Sequence, residues 1–536
     1  MAEEKIVLEL RNAPLIALLV ILSVFFFMEL QVAFNTPISF GDEGLHTRMS
    51  QYMAEEKEYP VWVPIVGSDK ADKTSYSRPP LWHLLEGGFF LVFGFNEFIA
   101  RFLVPFIAFI TGIAAFILTK RLYGETIAFI STILLVTMPS FVLYSVLFYV
   151  DALVTLFFVF AVLLFVLSMR TGSLRYLVLS AVFTVFALLT KTTSIGLFFF
   201  FPLVFVYEMI TKLDKKQILA KYGIFAVVIL VFYTPFILRS IAHYGTVCNI
   251  PYIELVSDTS GCTYPNKIEQ TTKYSARTAE VGSEASIFGM GLLNYFDFAY
   301  GNIWLVLFGL IGGIVISIVK KDETTIVLLL MLVSIVPIFY NSIPRAEDAA
   351  RYMLGWSPFI AILAAIYFSK IYNFLKNYQR HLSVVIIIFV IVLGYQNFHS
   401  KLTTMQQVKQ FSPLFFEACD WIKDNLQKDV LISTVWVYRA VYNCQRTTMG
   451  NPPDIFLSKD VEKVKLTAQA YGITHLFIQK FSLTDQAFAE GYKIDSVQFF
   501  ADNPEVFKKV YENGPSLQEC ISAGGCDGNI LYELVF

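Results

Sequence analysis

Charge is scarce in this chain. Asp, Glu, Lys and Arg make up 16% of 536 residues, whereas 56% are hydrophobic. A soluble domain carries more charge, so the composition excludes an ordinary soluble fold and implies lipid as part of the solvent. The net charge of -2 leaves no basic surplus and argues against a nucleic-acid partner. Cysteine and histidine number six each, and no two cysteines are spaced as Cys-x-x-Cys. That disfavours a zinc site. There is no internal repeat of the kind common in transporters, and no low-complexity tract. No small-residue cleavage site follows the first apolar run, which therefore reads as an uncleaved helix rather than a signal peptide.

What the chain has instead is long apolar runs, rich in Phe (52 residues), with a mean hydropathy of +0.59. Segments of roughly 20 apolar residues mark candidate membrane spans. They fall near 13–34, 99–119, 126–146, 150–169, 175–190, 194–210, 222–241, 302–319, 325–341, 352–370 and 382–398, which predicts a polytopic α-helical membrane protein with about eleven spans. Alternate connections carry the bases Lys120, Arg121, Arg170, Lys212, Lys215, Lys216, Lys221, Lys320, Lys321, Lys376 and Arg380. The positive-inside rule places these loops and the N-terminus in the cytoplasm and the C-terminus outside. Counting Pro79–Phe93 as a further span would invert every later loop. That segment is short and interrupted by Glu86-Gly87-Gly88, and it reads as an interfacial or re-entrant helix.

The scheme divides the chain into a membrane domain, 1–400, with outer loops 35–98 and 242–301, and an extracytoplasmic domain, 401–536. The loop 242–301 is too long for a simple turn and reads as a lid. In the tail, Phe411–Leu426 and 459–471 have helical spacing, and Asp429–Val437, Ile473–Gln479 and Asn529–Phe536 read as strands. Their alternation predicts a small α/β domain. Cys248, Cys262, Cys419, Cys444, Cys520 and Cys526 all fall on the outer side, where disulfides form. Nearest-in-sequence pairing joins 248 to 262, 419 to 444 and 520 to 526, one of fifteen possible connectivities.

Ionisable groups at membrane level each invite a functional reading. Phe40-Gly41-Asp42-Glu43-Gly44-Leu45-His46 sets two carboxylates between glycines just after the first span. Adjacent side chains point different ways, so the two acids divide their tasks. Downstream lie the corner Tyr76-Ser77-Arg78-Pro79-Pro80-Leu81-Trp82, Asp151 opening a span, Lys191 in Leu189-Thr190-Lys191-Thr192-Thr193, and Arg345 and Arg351 flanking a short outer loop. Glu29 lies a turn below the outer end of its span, placed to hydrogen-bond inside the bundle. Any one of these residues also suits helix capping, snorkelling or a solvated turn. Together, Arg78, Lys191, Arg345 and Arg351 run against the positive-inside bias beside a carboxylate pair. That is a pocket for an anion such as phosphate.

This order of motifs resembles the GT-C class of membrane glycosyltransferases. The features are an outer Asp-Glu, a base before Pro-Pro, Asp-x-x-x-Thr opening a span, Lys-Thr-Thr-Ser-Ile-Gly, and Arg-Tyr-Met-Leu-Gly-Trp-Ser-Pro. Within the class the chain is similar to the protein O-mannosyltransferases and the lipid A aminoarabinose transferases, over about residues 10–400. The resemblance implies a sugar donor on a polyprenyl phosphate, a hydroxyl acceptor (protein, lipid or glycan), an outer active site in the plasma membrane and, for relatives of the aminoarabinose type, an outer α/β tail. It implies inverting transfer with Asp42 as base, and Glu43 and His46 as acceptor contacts or loop support. Arg78, Lys191, Arg351 and, less centrally, Arg345 would be phosphate ligands, with Asp151 orienting a cation. No cofactor is expected, although a divalent metal held by the acids is the competing account. Arg78 stands where many relatives have Lys. The Trp-Trp-Asp signature of oligosaccharyltransferases is absent, as is the lumenal β-trefoil insert of eukaryotic mannosyltransferases. With the disulfides, this points to an archaeal or bacterial chain. The rival readings are a transporter or lipid flippase using the cations as a path, and a scaffold whose membrane part is a degenerate relative.

Overall fold

The computed structural model describes residues 2–38, 42–61, 78–247, 303–320, 322–336, 351–408, 413–434, 436–450, 455, 458–480, 494–522 and 526–536. A helix covers all or part of every predicted span. The first is α1 (Ala2–Phe34), followed after the acidic loop by α2 (Glu43–Glu56) and α3 (Leu81–Phe93). Then come α4 (Glu97–Tyr123), α5 (Glu125–Val136), α6 (Pro139–Val146), α7 (Asp151–Thr171), α8 (Leu174–Leu188), α9 (Gly196–Thr211) and α10 (Lys215–Tyr244). The later ones are α11 (Ile303–Lys320), α12 (Glu323–Val333), α13 (Ser357–Tyr378) and α14 (Arg380–Val408). Six stretches among the described residues are long and apolar enough to cross a membrane, or seven if a bent pair counts as one. The chain is an integral membrane protein.

The bent pair is α5 and α6, which meet at 61° where the sequence reading drew one straight span, 126–146. Pro139 is the cause. A residue before proline is pushed out of the helical region, and Met138 is extended at φ -64°, ψ 130°. Other helix limits follow capping chemistry. The Asn96 side chain accepts from the Ile99 N–H at 2.8 Å, and Asp322 from the Thr325 N–H at 3.1 Å. Gly172 takes the left-handed C-cap of α7 at φ 67°.

At the centre stands α7, apolar all round and buried along nearly its whole length, as such a helix must be. The Phe158 ring meets Trp356 edge-on at 5.0 Å, in the short turn that leads into α13. On the far side, α11 lies so close to α13 that a Cβ on Gly313 would come within 2.0 Å of the Leu363 carbonyl. Small residues permit such contact between membrane helices. The sequence placed Glu29 for a bond inside the bundle, and Ser145 Oγ donates to it at 2.8 Å.

The tail forms a five-stranded sheet between helices. Its elements are α15 (Pro413–Asn425), β1 (Leu431–Ser433), α16 (Val437–Cys444), β2 (Thr447–Met449), α17 (Val461–Tyr471), β3 (His475–Gln479), α18 (Ile494–Asp502), β4 (Phe507–Asn513), α19 (Leu517–Ser522) and β5 (Asn529–Leu534). The strand order is β2-β1-β3-β5-β4. β1 pairs parallel with β2 and β3, whereas β5 pairs antiparallel with β3 and β4. Side chains alternate across the strands. Leu431, Leu476 and Ile530 pack under α17 and α18, while Ile432, Phe477 and Leu531 pack under α15 and α16. Disulfides join Cys419 to Cys444 and Cys520 to Cys526; Cys248 and Cys262 lie outside the described residues.

One contact carries the tail to the acidic loop. Val441 of α16 packs on Leu45 and Met49 of α2. Asn443 Nδ2 donates to the Ile38 carbonyl at 3.1 Å, and Tyr442 donates to Glu97 at 2.9 Å. Gly44 lies directly beneath the Tyr438 carbonyl, which a Cβ there would approach to 2.1 Å.

Candidate active site

Asp42 is the residue before α2, at the point where the chain turns back after α1. Its amide N–H donates to the Tyr149 hydroxyl at 3.3 Å, fixing the turn against the segment between α6 and α7. Its carboxylate accepts from Arg351 Nη1 at 2.9 Å. Arg351 also gives its Nε–H to Asp151 Oδ2 at 3.1 Å, and its guanidinium lies over the Tyr149 ring at 4.1 Å. The other oxygen of Asp151 holds the Lys191 ammonium, which also faces the Tyr352 ring at 4.9 Å. Asp151 opens α7, where the positive end of the helix favours a carboxylate. A single ionic chain results, running Lys191, Asp151, Arg351, Asp42.

Burial alone would raise the Asp42 carboxyl, but Arg351, Arg78 and Lys191 outweigh it and hold the group below the ordinary 3.8. Asp42 is therefore a carboxylate throughout the physiological range. Burial lowers Lys191 to about 8 against the pull of Asp151, close to the point where an ammonium begins to lose its proton. Arg78 reaches the site from the proline corner, which is docked by the Leu81 N–H on the Leu189 carbonyl at 2.8 Å.

Glu43 points elsewhere, as two adjacent residues must. Its carboxylate is sealed, and it accepts from Arg101 Nη1 at 2.6 Å, Arg101 Nη2 at 3.3 Å and the Phe148 N–H at 2.8 Å. Arg101 also donates to the Pro37 carbonyl at 2.7 Å. These contacts tie the acidic loop to α4 and to the segment between α6 and α7. His46 is buried one turn into α2, its Nδ1 3.0 Å from His83 Nε2 on α3. His83 Nδ1 in turn lies 3.2 Å from the Tyr59 hydroxyl, which donates to the Arg78 carbonyl at 2.6 Å.

The structure thus brings Asp42, Asp151, Lys191, Arg351 and Arg78 together, leaves Glu43 facing away from Arg351, and sets His46 beside them. Arg345 and most of the loop 242–301 lie outside the described residues. Sequence reading missed Arg101, Tyr149, His83 and Tyr59. Arg101 carried a usable signal, a charge three residues into an apolar span. The others had none, because single aromatic and His residues are common near membrane interfaces.

Residues 77–238, under half of the chain, match the family described as dolichyl-phosphate-mannose-protein mannosyltransferase. No curated protein matches significantly by sequence. Among solved structures, the archaeal oligosaccharyltransferase AglB from Archaeoglobus fulgidus, in complex with an inhibitory peptide and a dolichol-phosphate, is 12% identical with a TM-score of 0.65. The match covers 93% of this chain and 73% of AglB. The A. fulgidus oligosaccharyltransferase in complex with Zn and sulfate is 13% identical with a TM-score of 0.64, covering 96% of this chain and 73% of its own. ArnT from Cupriavidus metallidurans, bound to undecaprenyl phosphate, is 12% identical with a TM-score of 0.60 over 98% of each chain.

The zinc in one of these invites a test of the acids here. Both oxygens of Asp151 and both of Glu43 are already taken by cations. Among the described residues no three His, Cys, Asp or Glu side chains converge. By its profile over 77–238 and its fold over nearly the whole chain, the protein resembles the mannosyltransferases, AglB and ArnT, and it has the fold of the GT-C membrane glycosyltransferases.

Proposed function

We propose that the protein is a glycosyltransferase that moves a sugar from a polyprenyl-phosphate donor to a hydroxyl acceptor at the outer face of the plasma membrane. The observation that supports this most is the double engagement of Arg351, which holds Asp42 at 2.9 Å and Asp151 at 3.1 Å, with Lys191 on the other side of Asp151. That network supports Asp42 acting as a base beside cations that take up a phosphate. The about eleven spans, the outer position of the site and the outer position of the tail belong to the same reading, supported by the loop charges and the disulfides.

The phosphate of the donor enters between Arg351, Lys191 and Arg78, with Arg345 a further candidate. Its lipid lies between helices. The acceptor hydroxyl gives its proton to Asp42 as its oxygen bonds to the anomeric carbon. The bond from that carbon to the phosphate oxygen breaks, and polyprenyl phosphate leaves with the electron pair. Attack opposite the leaving group inverts the anomeric centre. Phosphate is already a good leaving anion, so no general acid is required. Preplaced cations favour the charge that develops on it in a water-poor pocket. In the unliganded protein Arg351 weakens Asp42 as a base; an arriving phosphate competes for that guanidinium and restores its basicity.

Release of polyprenyl phosphate from a labelled donor separates this reading from its rivals. A transporter or flippase would move the donor intact, and a scaffold would leave it unchanged. Chelation is the companion test: turnover should persist in excess chelator, whereas silencing by chelator alone would rewrite the acids as a metal site.

A further inference from the structure

We propose that Tyr59, His83 and His46 form a tautomer-setting chain that presents the bare Nε2 of His46 as the hydrogen-bond acceptor for the incoming hydroxyl group. This rests on the transferase reading above and assigns the acceptor side of the same site. The direction of each bond follows from one fixed point. A carbonyl can only accept, so the 2.6 Å contact between Tyr59 and the Arg78 carbonyl consumes the single proton of the Tyr59 hydroxyl. The 3.2 Å contact to His83 Nδ1 then requires an N–H on that nitrogen. In a neutral imidazole the other nitrogen is bare, so His83 Nε2 accepts, and the 3.0 Å contact requires His46 Nδ1 to donate. His46 Nε2 is left with its lone pair, and it makes no hydrogen bond among the described residues.

Two further observations agree. Burial lowers both histidines, His83 to about 3, and His46 is pushed the same way by His83, Arg351, Arg78 and Lys191, so both rings stay neutral. His46 also lies among the residues that surround Asp42. Its ring meets Tyr149 edge-on with centroids 6.3 Å apart, and Tyr149 carries both the Asp42 amide and the Arg351 guanidinium. The polar groups contributed by Arg351, Lys191 and Arg78 are all donors, suited to phosphate. A hydroxyl group needs acceptors, and His46, whose backbone N–H donates to the Asp42 carbonyl at 3.0 Å, carries one in its bare Nε2. Tyr59 and His83 are positioning residues in this scheme. They also tie the helix that follows Asp42 to the corner that carries Arg78.

Two measurements on the full-length protein test this. With only six histidines in the chain, ¹⁵N-histidine labelling and solid-state NMR can resolve the ring nitrogens, His46→Asn and His83→Asn serving to assign the signals. The expected result is an unprotonated Nε2 and a protonated Nδ1 on His46; a protonated Nε2 overturns the inference. The second measurement compares two amides. Asn places its amide near the position of Nδ1, and Gln near that of Nε2. His46→Asn can keep the bond to His83 but loses the outward acceptor, whereas His46→Gln does the reverse. Transfer from dolichyl phosphate mannose to a threonine-containing peptide, or to water if the peptide is refused, should fall at least tenfold in His46→Asn and less than threefold in His46→Gln, with donor binding unchanged in both. The opposite order makes the chain a loop brace and overturns the inference. Failure of the transferase reading looks different, since wild-type protein would then release no polyprenyl phosphate whatever the tautomer.

Discussion

Arg351 and Lys191 are both cations beside Asp151, yet they answer to pH differently. Arg351 is charged at any accessible pH. Burial brings Lys191 down to about 8 from the ordinary 10.5, so its charge is complete below that value and is lost as pH rises through it. Donor capture should therefore weaken above about pH 8 in the profile of kcat/KM, which reports the free enzyme, and Lys191→Arg should remove that alkaline limb. An unchanged limb in Lys191→Arg would assign it to another group. The same shift makes the lysine's contribution to stability rise between about pH 8 and 10.5, where the unfolded chain holds the extra proton. Glu43 gives a different prediction. Glu43→Gln leaves Arg101 buried without a counter-charge, which costs about 3–5 kcal/mol and should appear as a lower unfolding temperature before any effect on donor binding. A stable variant impaired only in turnover would return Glu43 to the acceptor. The individual acids and bases of the site were legible in the sequence because charge is rare at membrane level. Their pairing was not, since Asp42 meets Arg351 across 309 residues, and the charge of Arg101 inside an apolar run was visible but its partner Glu43, 58 residues away, was not.

Among the elements, the contact of α16 on α2 decides most. A methyl group on Gly44 would stand 2.1 Å from the Tyr438 carbonyl, and backbone cannot yield as a side chain can. Gly44→Ala should therefore lift α16 from α2 and depress turnover, while Gly88→Ala, which meets nothing within 4 Å, should not; equal activity would show that the tail does not hold the loop. The Cys419–Cys444 disulfide braces α16 from the other side by tying it to α15. Closing a loop of that length contributes about 3–4 kcal/mol by chain entropy, so Cys419→Ser with Cys444→Ser should lower the unfolding temperature. Non-reduced peptide mapping should recover the bridge. The helices and strands with clean periodicity, α15, α17, β3 and β5, were readable from spacing. β4 was not, because an edge strand carrying Lys508, Lys509 and Glu512 lacks an apolar face to betray it. Two turns of α16 are too short for a period to emerge. The break between α5 and α6 was visible as Pro139 and was overridden by the apolar run on either side.

At the scale of the whole molecule, the proposed orientation rests on the loop charges. A tag at residue 536 should be reached from outside the cell and one at residue 215 from inside; the same side for both would undo the topology. The central claim is narrower, that Asp42 takes the proton of an acceptor hydroxyl while cations hold the donor phosphate. A positioned base contributes about 100- to 10,000-fold. Asp42→Asn preserves size and can still hydrogen-bond, so the decisive measurement is turnover of a polyprenyl-phosphate sugar by this variant, with donor binding measured on the same sample. The account predicts donor binding near the wild-type level and turnover reduced at least a hundredfold. Wild-type turnover in Asp42→Asn would contradict it.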